Sequence, residues 1–369
     1  MKSILFLIPT LGGGGAERVL VNLVNNLDRK KYSITVQTLF DGGVNKQGLQ
    51  DGIEYKYCFR RVFRGNAKIL TLFSPETLYK RLIGKKYDIV VSYLEGPTAR
   101  IVSGCPFSES KLINWVHVEQ NTLSNAAYSY RSAKEAFECM NCFDASICVA
   151  ESVKTDFTKL FAIEHPCRVL YNTNEYDVIL SKAREQMSEW GDISDIKVVS
   201  VGRLVPAKGY DRLARVHRRL LDAGLKHHIY ILGDGEMRAE LEKTITELCI
   251  GETFHLLGFK DNPYKYVANA DMFVCSSRRE GFSTAVTEAL VLGIPVVSTN
   301  CSGAYELLGQ DDEYGIVTTN DEVGIFDGMH KMLSDASLRQ MYCSQARVRA
   351  KRFSKENTVA DVEQMIDSL

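Results

Sequence analysis

The residues best suited to chemistry lie in one loop. Asp271-Met272-Phe273-Val274-Cys275 leads into Ser276-Ser277-Arg278-Arg279-Glu280-Gly281-Phe282-Ser283-Thr284, followed by Ala285-Val286-Thr287-Glu288-Ala289-Leu290. Residues 272–275 read as a short buried parallel strand, and residues 284–292 have the apolar spacing of a helix packed on a sheet. A helix capped by Ser283 or Thr284 offers unpaired backbone N–H groups and the positive end of a dipole, both of which suit a phosphate. Glu280 falls just outside that anion site and Glu288 about two turns further on. A carboxylate beside a phosphate is unfavourable unless it has work such as accepting hydrogen bonds from hydroxyls, which sugars carry on both sides of a nucleotide diphosphate. Taken alone, the same residues also fit an ordinary helix start with one Glu favoured by the dipole and the other solvated.

The elements that must position this loop alternate strand and helix over the second half. Residues 196–201 form an apolar strand ending at Gly202-Arg203, then Lys208-Gly209 and a helix over 210–223. Strands at 228–232, 253–257, 272–275 and 293–298 alternate with helices at 236–248, 264–270, 284–292 and 303–308, and a last helix runs from Phe353, capped by Ser354. Ligands of open parallel sheets bind at the carboxyl ends of strands. Those ends carry Arg203 and Lys208, then Asp234 and Gly235, then Gly258-Phe259-Lys260, then 280–284. Arg203 and Lys208 supply a fixed fork and a flexible point charge, a combination that can hold a diphosphate and neutralise one as it departs. A surface turn also explains a Gly-Arg seen alone.

The first half repeats the alternation, with strands at 3–9, 32–40, 87–93, 112–116, 145–149 and 168–171, and a helix at 16–27 behind Gly12-Gly13-Gly14-Gly15. That loop half satisfies the dinucleotide fingerprint and fails at its third glycine, which is Glu17. Residues 56–86 hold nine basic side chains, among them Arg60, Arg61, Arg64 and Lys68, against the single acid Glu76. The interleaved aromatics fit a segment lying on an anionic bilayer, an RNA groove, or a solvated basic face over an ordinary core.

At 369 residues the chain suits two domains, and the charged stretch 181–195 marks the junction. The composition is that of a soluble globular protein; with a net charge of −1 it is no nucleic-acid polycation. Residues 1–171 nevertheless carry 22 Lys and Arg against 16 Asp and Glu, and residues 172–369 carry 23 against 30, so the basic half is the one expected to meet an anionic partner. The ten cysteines follow no secretory signal and read as reduced cytosolic thiols; Cys139 and Cys142 form a lone pair without a second pair at zinc spacing. No apolar stretch approaches the roughly 18 residues of a membrane span, so any membrane contact is expected to be peripheral.

With these residues in place, the second half resembles the retaining nucleotide-sugar glycosyltransferases of family four, of the B-type fold. The matching wording is Gly202-Arg203-Leu204 with Lys208-Gly209, Ile231-Leu232-Gly233-Asp234-Gly235, Leu257-Gly258-Phe259, Asp271, Glu280-Gly281-Phe282-Ser283 with Glu288-Ala289, and Gly293-Ile294-Pro295-Val296-Val297. In the first half, residues 12–18, Trp115-Val116-His117 and Tyr171-Asn172 are similar, and residues 42–110 only loosely so.

The resemblance implies two Rossmann-like, doubly wound parallel-sheet α/β domains facing across a cleft: 1–175 for the acceptor, 176–352 for the nucleotide sugar, and 353–369 as a helix packing back toward the first domain. It implies that Arg203 and Lys208 contact the diphosphate, Glu280 the donor sugar, Gly281, Phe282, Ser283 and Thr284 the sugar or phosphate, and Glu288 the ribose. Gly258, Phe259 and Lys260 edge the base beside Asp234, while His117 and the loop with Gly14 and Gly15 approach the transferred sugar. A core histidine at a strand end is the other reading of His117. Leaving-group stabilisation by positive charge and dipole needs no metal or cofactor. A glycoside hydrolase, which also uses two carboxylates, has no use for Arg203, Lys208 and a phosphate-ready helix end. The expected partners are a UDP-sugar, a glycan acceptor on a polyisoprenyl diphosphate and an anionic membrane surface. The expected place is the cytoplasmic face of the membrane, and the expected reaction is transfer of a hexose or N-acetylhexosamine in bacterial surface polysaccharide synthesis. A non-catalytic module binding nucleotide sugar or anionic lipid is the alternative.

Overall fold

The computed structural model describes residues 1–187, 189–190 and 194–369; of the charged stretch 181–195, residues 188 and 191–193 lie outside the described residues. In chain order the first elements are β1 (Lys2–Ile8), α1 (Gly15–Asn26), β2 (Tyr32–Phe40), β3 (Glu54–Phe59), α2 (Asn66–Thr71), α3 (Pro75–Leu82), β4 (Ile89–Tyr93) and α4 (Pro97–Val102). There follow β5 (Lys111–Val116), α5 (Leu123–Ala126), α6 (Ala133–Met140), β6 (Ala145–Cys148), α7 (Glu151–Phe161), β7 (Cys167–Val169) and α8 (Tyr176–Ala183). Next are β8 (Ile196–Val201), α9 (Tyr210–Asp222), β9 (His227–Leu232), α10 (Arg238–Glu247), β10 (Phe254–Gly258), α11 (Tyr264–Ala268), β11 (Met272–Cys275) and α12 (Thr284–Leu292). The chain closes with β12 (Val296–Thr299), α13 (Ala304–Leu308), β13 (Ile316–Thr318), α14 (Glu322–Ser334), α15 (Ala336–Ala350) and α16 (Lys355–Asp367).

These elements form two compact units, residues 1–173 with 355–369, and residues 174–354. The first contains a seven-stranded sheet in the order β3-β2-β1-β4-β5-β6-β7, with every pairing parallel. Covered on both faces, such strands need near-continuous apolar runs, and Ile4 to Ile8 are all fully buried. The terminal helix α16 belongs to this unit: Tyr32 donates from its hydroxyl to Asp367 at 2.7 Å, and Asp28 donates its backbone N–H to Glu363 at 2.8 Å.

The second unit holds a six-stranded parallel sheet, β10-β9-β8-β11-β12-β13. Its core joins Val198, Ile229, Ile231, Met272 and Val274 of the sheet to Leu213, Val216 and Leu220 of α9 and to Met329 and Met332 of α14. In each sheet the strand order reverses once, between β1 and β4 and between β8 and β11. Crevices outside the carboxyl ends of strands at such reversal points are where open α/β sheets take ligands.

Two parts of the fold differ from the expectations. Residues 56–59 of the basic stretch belong to the edge strand β3, and the remainder breaks into α2 and α3, the latter started by Pro75 behind a Ser74 cap. The basic stretch, left without elements by the sequence reading, thus divides into part of a strand and two helices. Residues 309–352, without an assignment from sequence, supply β13, α14 and α15, with Asp321 and Asp335 capping the two helices.

Candidate functional site

At the reversal point of the second sheet, β8 delivers Arg203 and Lys208 while β11 delivers Glu280. Lys208 Nζ lies 2.5 Å from Glu280 Oε1, and Ser277 Oγ donates to the same oxygen at 2.6 Å. Both members of the ion pair are mostly shielded, the Lys208 side chain 23 % and the Glu280 side chain 13 % exposed. Burial opposes the Lys208 charge, but the facing carboxylate outweighs it and holds the ammonium above its ordinary value. The stem of Lys208 is confined as well, since a Cβ on Gly202 would meet Lys208 Cε at 3.0 Å and the Tyr210 hydroxyl at 2.8 Å.

Two arginines join the loops that carry this pair. Arg278 donates its backbone N–H to Ala207 O at 2.7 Å, and its guanidinium grips Asp211 through two bonds of 2.7 Å. Burial alone would raise the Asp211 carboxyl, but Arg278 and Arg215 bring it down to about 2. Arg212, only 5 % exposed, donates to Ser276 O from Nε at 3.0 Å and from Nη2 at 2.7 Å, and to Asn320 O at 2.9 Å. The approach is so close that position 209 must be glycine: φ is +67°, and a Cβ would lie 2.3 Å from Ser276 O.

The neighbouring sequence-derived residues take up varied positions. Arg203 is exposed, and its guanidinium forms no ion pair among the described residues. Asp234 accepts from the Gly235 N–H at 2.8 Å and pairs with Arg238 at 3.0 Å; its backbone carbonyl accepts from Leu204 N at 3.1 Å, seating this turn on the Arg203 turn. The seat again demands glycine, because a Cβ on Gly233 would lie 2.0 Å from Gly202 O. Gly258 ends β10, Phe259 is 66 % exposed, and Lys260 is engaged by Glu189 at 2.8 Å.

Ser283 caps α12 through Val286 N, with Gly281 before it and Thr284 opening the helix. Phe282 turns inward to pack edge-on against Phe353, ring centroids 5.5 Å apart. Glu288 is 4 % exposed, and its Oε1 accepts from the Tyr264 hydroxyl at 3.4 Å. It is thus a buried carboxylate and not the solvated one of the ordinary helix-start reading.

In the first unit, Gly14 caps α1 and Gly15 opens it. Glu17 folds back over this start, so a Cβ on Gly14 would collide with its carboxylate. His117 follows β5 and is 5 % exposed, in a ring cluster where it is tilted against Tyr93 at 4.6 Å and parallel to Trp115 at 6.4 Å. Burial depresses its imidazole to about 3, so it is neutral at ordinary pH. Its Nε2, the Trp115 Nε1 and the Tyr93 hydroxyl are all buried without a hydrogen-bond partner among the described residues. Glu95 fixes the chain here by accepting the N–H groups of His117 and, at 2.8 Å, Val118; the preceding Leu94 has a φ of +90°, rare for a residue with a side chain. Arg60, Arg61, Arg64 and Lys68 are all exposed. Around them Val62, Ile69, Leu72 and Phe73 are also exposed, at 65, 44, 73 and 37 %.

Sequence reasoning passed over Ser277, Arg278, Arg212, Asp211 and Glu95. Ser277 stands three residues before Glu280, and that spacing was the one available signal; the arginines look like any solvated cation until the fold supplies their partners. Among the described residues no three His, Cys, Asp or Glu side chains gather as a group able to hold a metal, and no helix is long and apolar enough to cross a membrane.

Two parallel-sheet Rossmann-like units, each with a single reversal of strand order, are the architecture of the B-type glycosyltransferases. The glycosyl transferases group 1 profile matches residues 185–349, and that of glycosyltransferase family 4 matches residues 13–173. The chain is 31 % identical over 372 residues, 98 % of each protein, to the N-acetylgalactosamine-N,N'-diacetylbacillosaminyl-diphospho-undecaprenol 4-alpha-N-acetylgalactosaminyltransferase of Campylobacter jejuni. The chain therefore belongs to this glycosyltransferase family. The fold is shared with Anabaena HepE in complex with UDP, at a TM-score of 0.79 and 20 % identity over the whole of both chains. It is shared too with a Staphylococcus aureus TarM mutant in complex with UDP, at 0.74 and 13 % over 99 % of each.

Proposed function

We propose that the chain is a retaining, metal-independent transferase moving a hexose or N-acetylhexosamine from a UDP-sugar to a lipid-linked glycan in bacterial surface polysaccharide synthesis. The observation that carries this reading is the Lys208–Glu280 pair at the reversal point of the second sheet. In transfer, the bond from the anomeric carbon to the β-phosphate oxygen breaks, and its electron pair leaves with the diphosphate. Lys208, Arg203 and the start of α12 stabilise that charge, a role that serves in place of a metal ion. The acceptor oxygen bonds to the anomeric carbon on the face just vacated, and its proton passes to the departing phosphate. Glu280 accepts sugar hydroxyls, Glu288 the ribose hydroxyls, and Phe259 edges the base. His117, being neutral, is suited to a hydrogen bond and not to supplying a charge.

The lipid-linked acceptor is supported by the Campylobacter relative, whose name specifies an α-linked N-acetylgalactosaminyl product on a diphospho-undecaprenol carrier. An α product from an α-linked nucleotide sugar means retention. The exposed Val62, Ile69, Leu72 and Phe73 among Arg60, Arg61, Arg64 and Lys68 suit the cytoplasmic face of an anionic membrane, each basic residue adding roughly 1 kcal/mol near the surface. A panel of UDP- and GDP-sugars, screened for thermal shift and then for acceptor-dependent release of nucleoside diphosphate, tests the reading. Donor binding without such release would instead indicate a non-catalytic module.

A further inference from the structure

Ser277 stands two residues beyond β11, on the loop that leads to Glu280, and it is 2 % exposed. A buried serine can satisfy its hydroxyl on nearby backbone, yet this one directs its hydrogen to a side-chain carboxylate, Glu280 Oε1, at 2.6 Å. The direction of this bond is set by the Glu280 carboxylate, which when ionised can only accept; Cys275 Sγ lies 3.6 Å from the same hydroxyl. The Ser277 carbonyl is tethered in turn by the Thr299 hydroxyl at 2.6 Å, from the end of the adjacent strand β12. Thr299 is 1 % exposed.

Lys208 and Ser277 both bind Oε1, so neither uses Oε2. The two restraints are not equivalent. Lys208 is a cation that a diphosphate also attracts, whereas Ser277 is neutral, short and anchored by Thr299. When a donor draws on the ammonium, the serine remains to hold the carboxylate. We infer that Ser277 is a positioning residue that orients the Glu280 carboxylate by its Oε1 and presents Oε2 to a hydroxyl of the donor sugar, with Thr299 holding Ser277 in register. The inference rests on the donor-site reading given under the proposed function.

The test compares Ser277→Ala, Ser277→Thr and Thr299→Val with the unaltered chain in kcat and KM for the nucleotide-sugar donor, UDP affinity by calorimetry, and thermal melting. A hydrogen bond to a charged group is worth enough that Ser277→Ala is expected to lower kcat/KM about 10- to 100-fold. UDP, which lacks the sugar, should bind within about twofold of the unaltered affinity, since the hydrogen bond acts on the sugar side alone. Ser277→Thr keeps the hydroxyl and should recover most of the loss, and Thr299→Val should fall between. With monodeoxy donors, the penalty for deleting the hydroxyl that Glu280 takes should shrink in Ser277→Ala. Unchanged kcat/KM in Ser277→Ala, or UDP affinity falling in step with it, overturns the positioning role while leaving the transferase reading intact. Absence of transfer by the unaltered chain overturns both.

Discussion

Replacing Lys208 with Met keeps the length and packing of the side chain and removes only its charge, so two effects can be separated. The first is on the fold. Glu280 would lose its cation at 2.5 Å and keep the Ser277 hydroxyl at 2.6 Å. Orphaning a fully buried partner costs about 3–5 kcal/mol. Here the two side chains keep 23 and 13 % exposure, so screening brings the expected loss to about 1–2 kcal/mol, a shift of a few degrees in melting temperature. The second effect is on transfer. A lost preorganised group facing the departing diphosphate is worth about 10²–10³ in kcat. Steady-state kinetics with the donor, beside urea unfolding, reads both numbers. Lys208→Arg should recover little, because Gly202 and Tyr210 confine the stem where a guanidinium must fit. Combining Lys208→Met with Glu280→Gln should be less than additive in stability by about 1 kcal/mol. A Lys208→Met chain with more than half the original kcat would refute the assignment of this cation to the leaving group.

Three further outcomes are expected. Reversing the charge at Arg60, Arg61 and Arg64 should weaken binding to phosphatidylglycerol vesicles at least about a hundredfold at low salt, at roughly 1 kcal/mol per basic residue lost; equal binding would argue against this surface. The second concerns acid. His217 Nδ1 meets His227 Nε2 at 2.8 Å, and His227 Nδ1 meets Leu225 O at 2.8 Å, so both rings are neutral in a fixed tautomer. Burial and the neighbouring histidines bring His217 down to about 2. Its contribution is therefore complete above the unfolded value near 6.5 and lost as pH falls below it, about 2–3 kcal/mol by pH 4.5. Urea midpoints at pH 7.5 and 4.5 should differ less in His217→Gln, and an equal pH dependence would contradict the argument. Third, Gly209→Ala should destabilise by at least about 1–3 kcal/mol, given a positive φ and a Cβ 2.3 Å from Ser276 O; an unchanged midpoint in denaturant would show that the loop can yield.

Much of the second unit was legible because its strands are short apolar runs, three of them, β8, β9 and β10, closed by glycine. The run 196–201, the run 272–275 and the helix 284–292 carry the same bounds in the structure, and of the two candidate caps, Ser283 and Thr284, it is Ser283 that caps. Strand β3 was hidden because Glu54 to Phe59 are only half-buried at a sheet edge, where charge is tolerated and the apolar signal fades. The charges that align Lys208 with Glu280 were hidden for another reason. Arg278 finds Asp211 across 67 residues and Arg212 finds Asn320 across 108, and no local pattern encodes those partners. His117 was located by its sequence setting, but its neutrality follows from burial against the Tyr93 and Trp115 rings, visible only once β4 and β5 pair.

The central claim is that the residues around Lys208 and Glu280 support transfer and not mere binding. The most direct measurement incubates the purified chain with a UDP-hexose or UDP-N-acetylhexosamine and a diphospho-polyisoprenyl glycan, following UDP release and the anomeric configuration of the product by NMR. The account expects acceptor-dependent UDP release and an α-linked product from the α-linked donor. A β-linked product, or donor binding with no acceptor-dependent release across the panel, would contradict it.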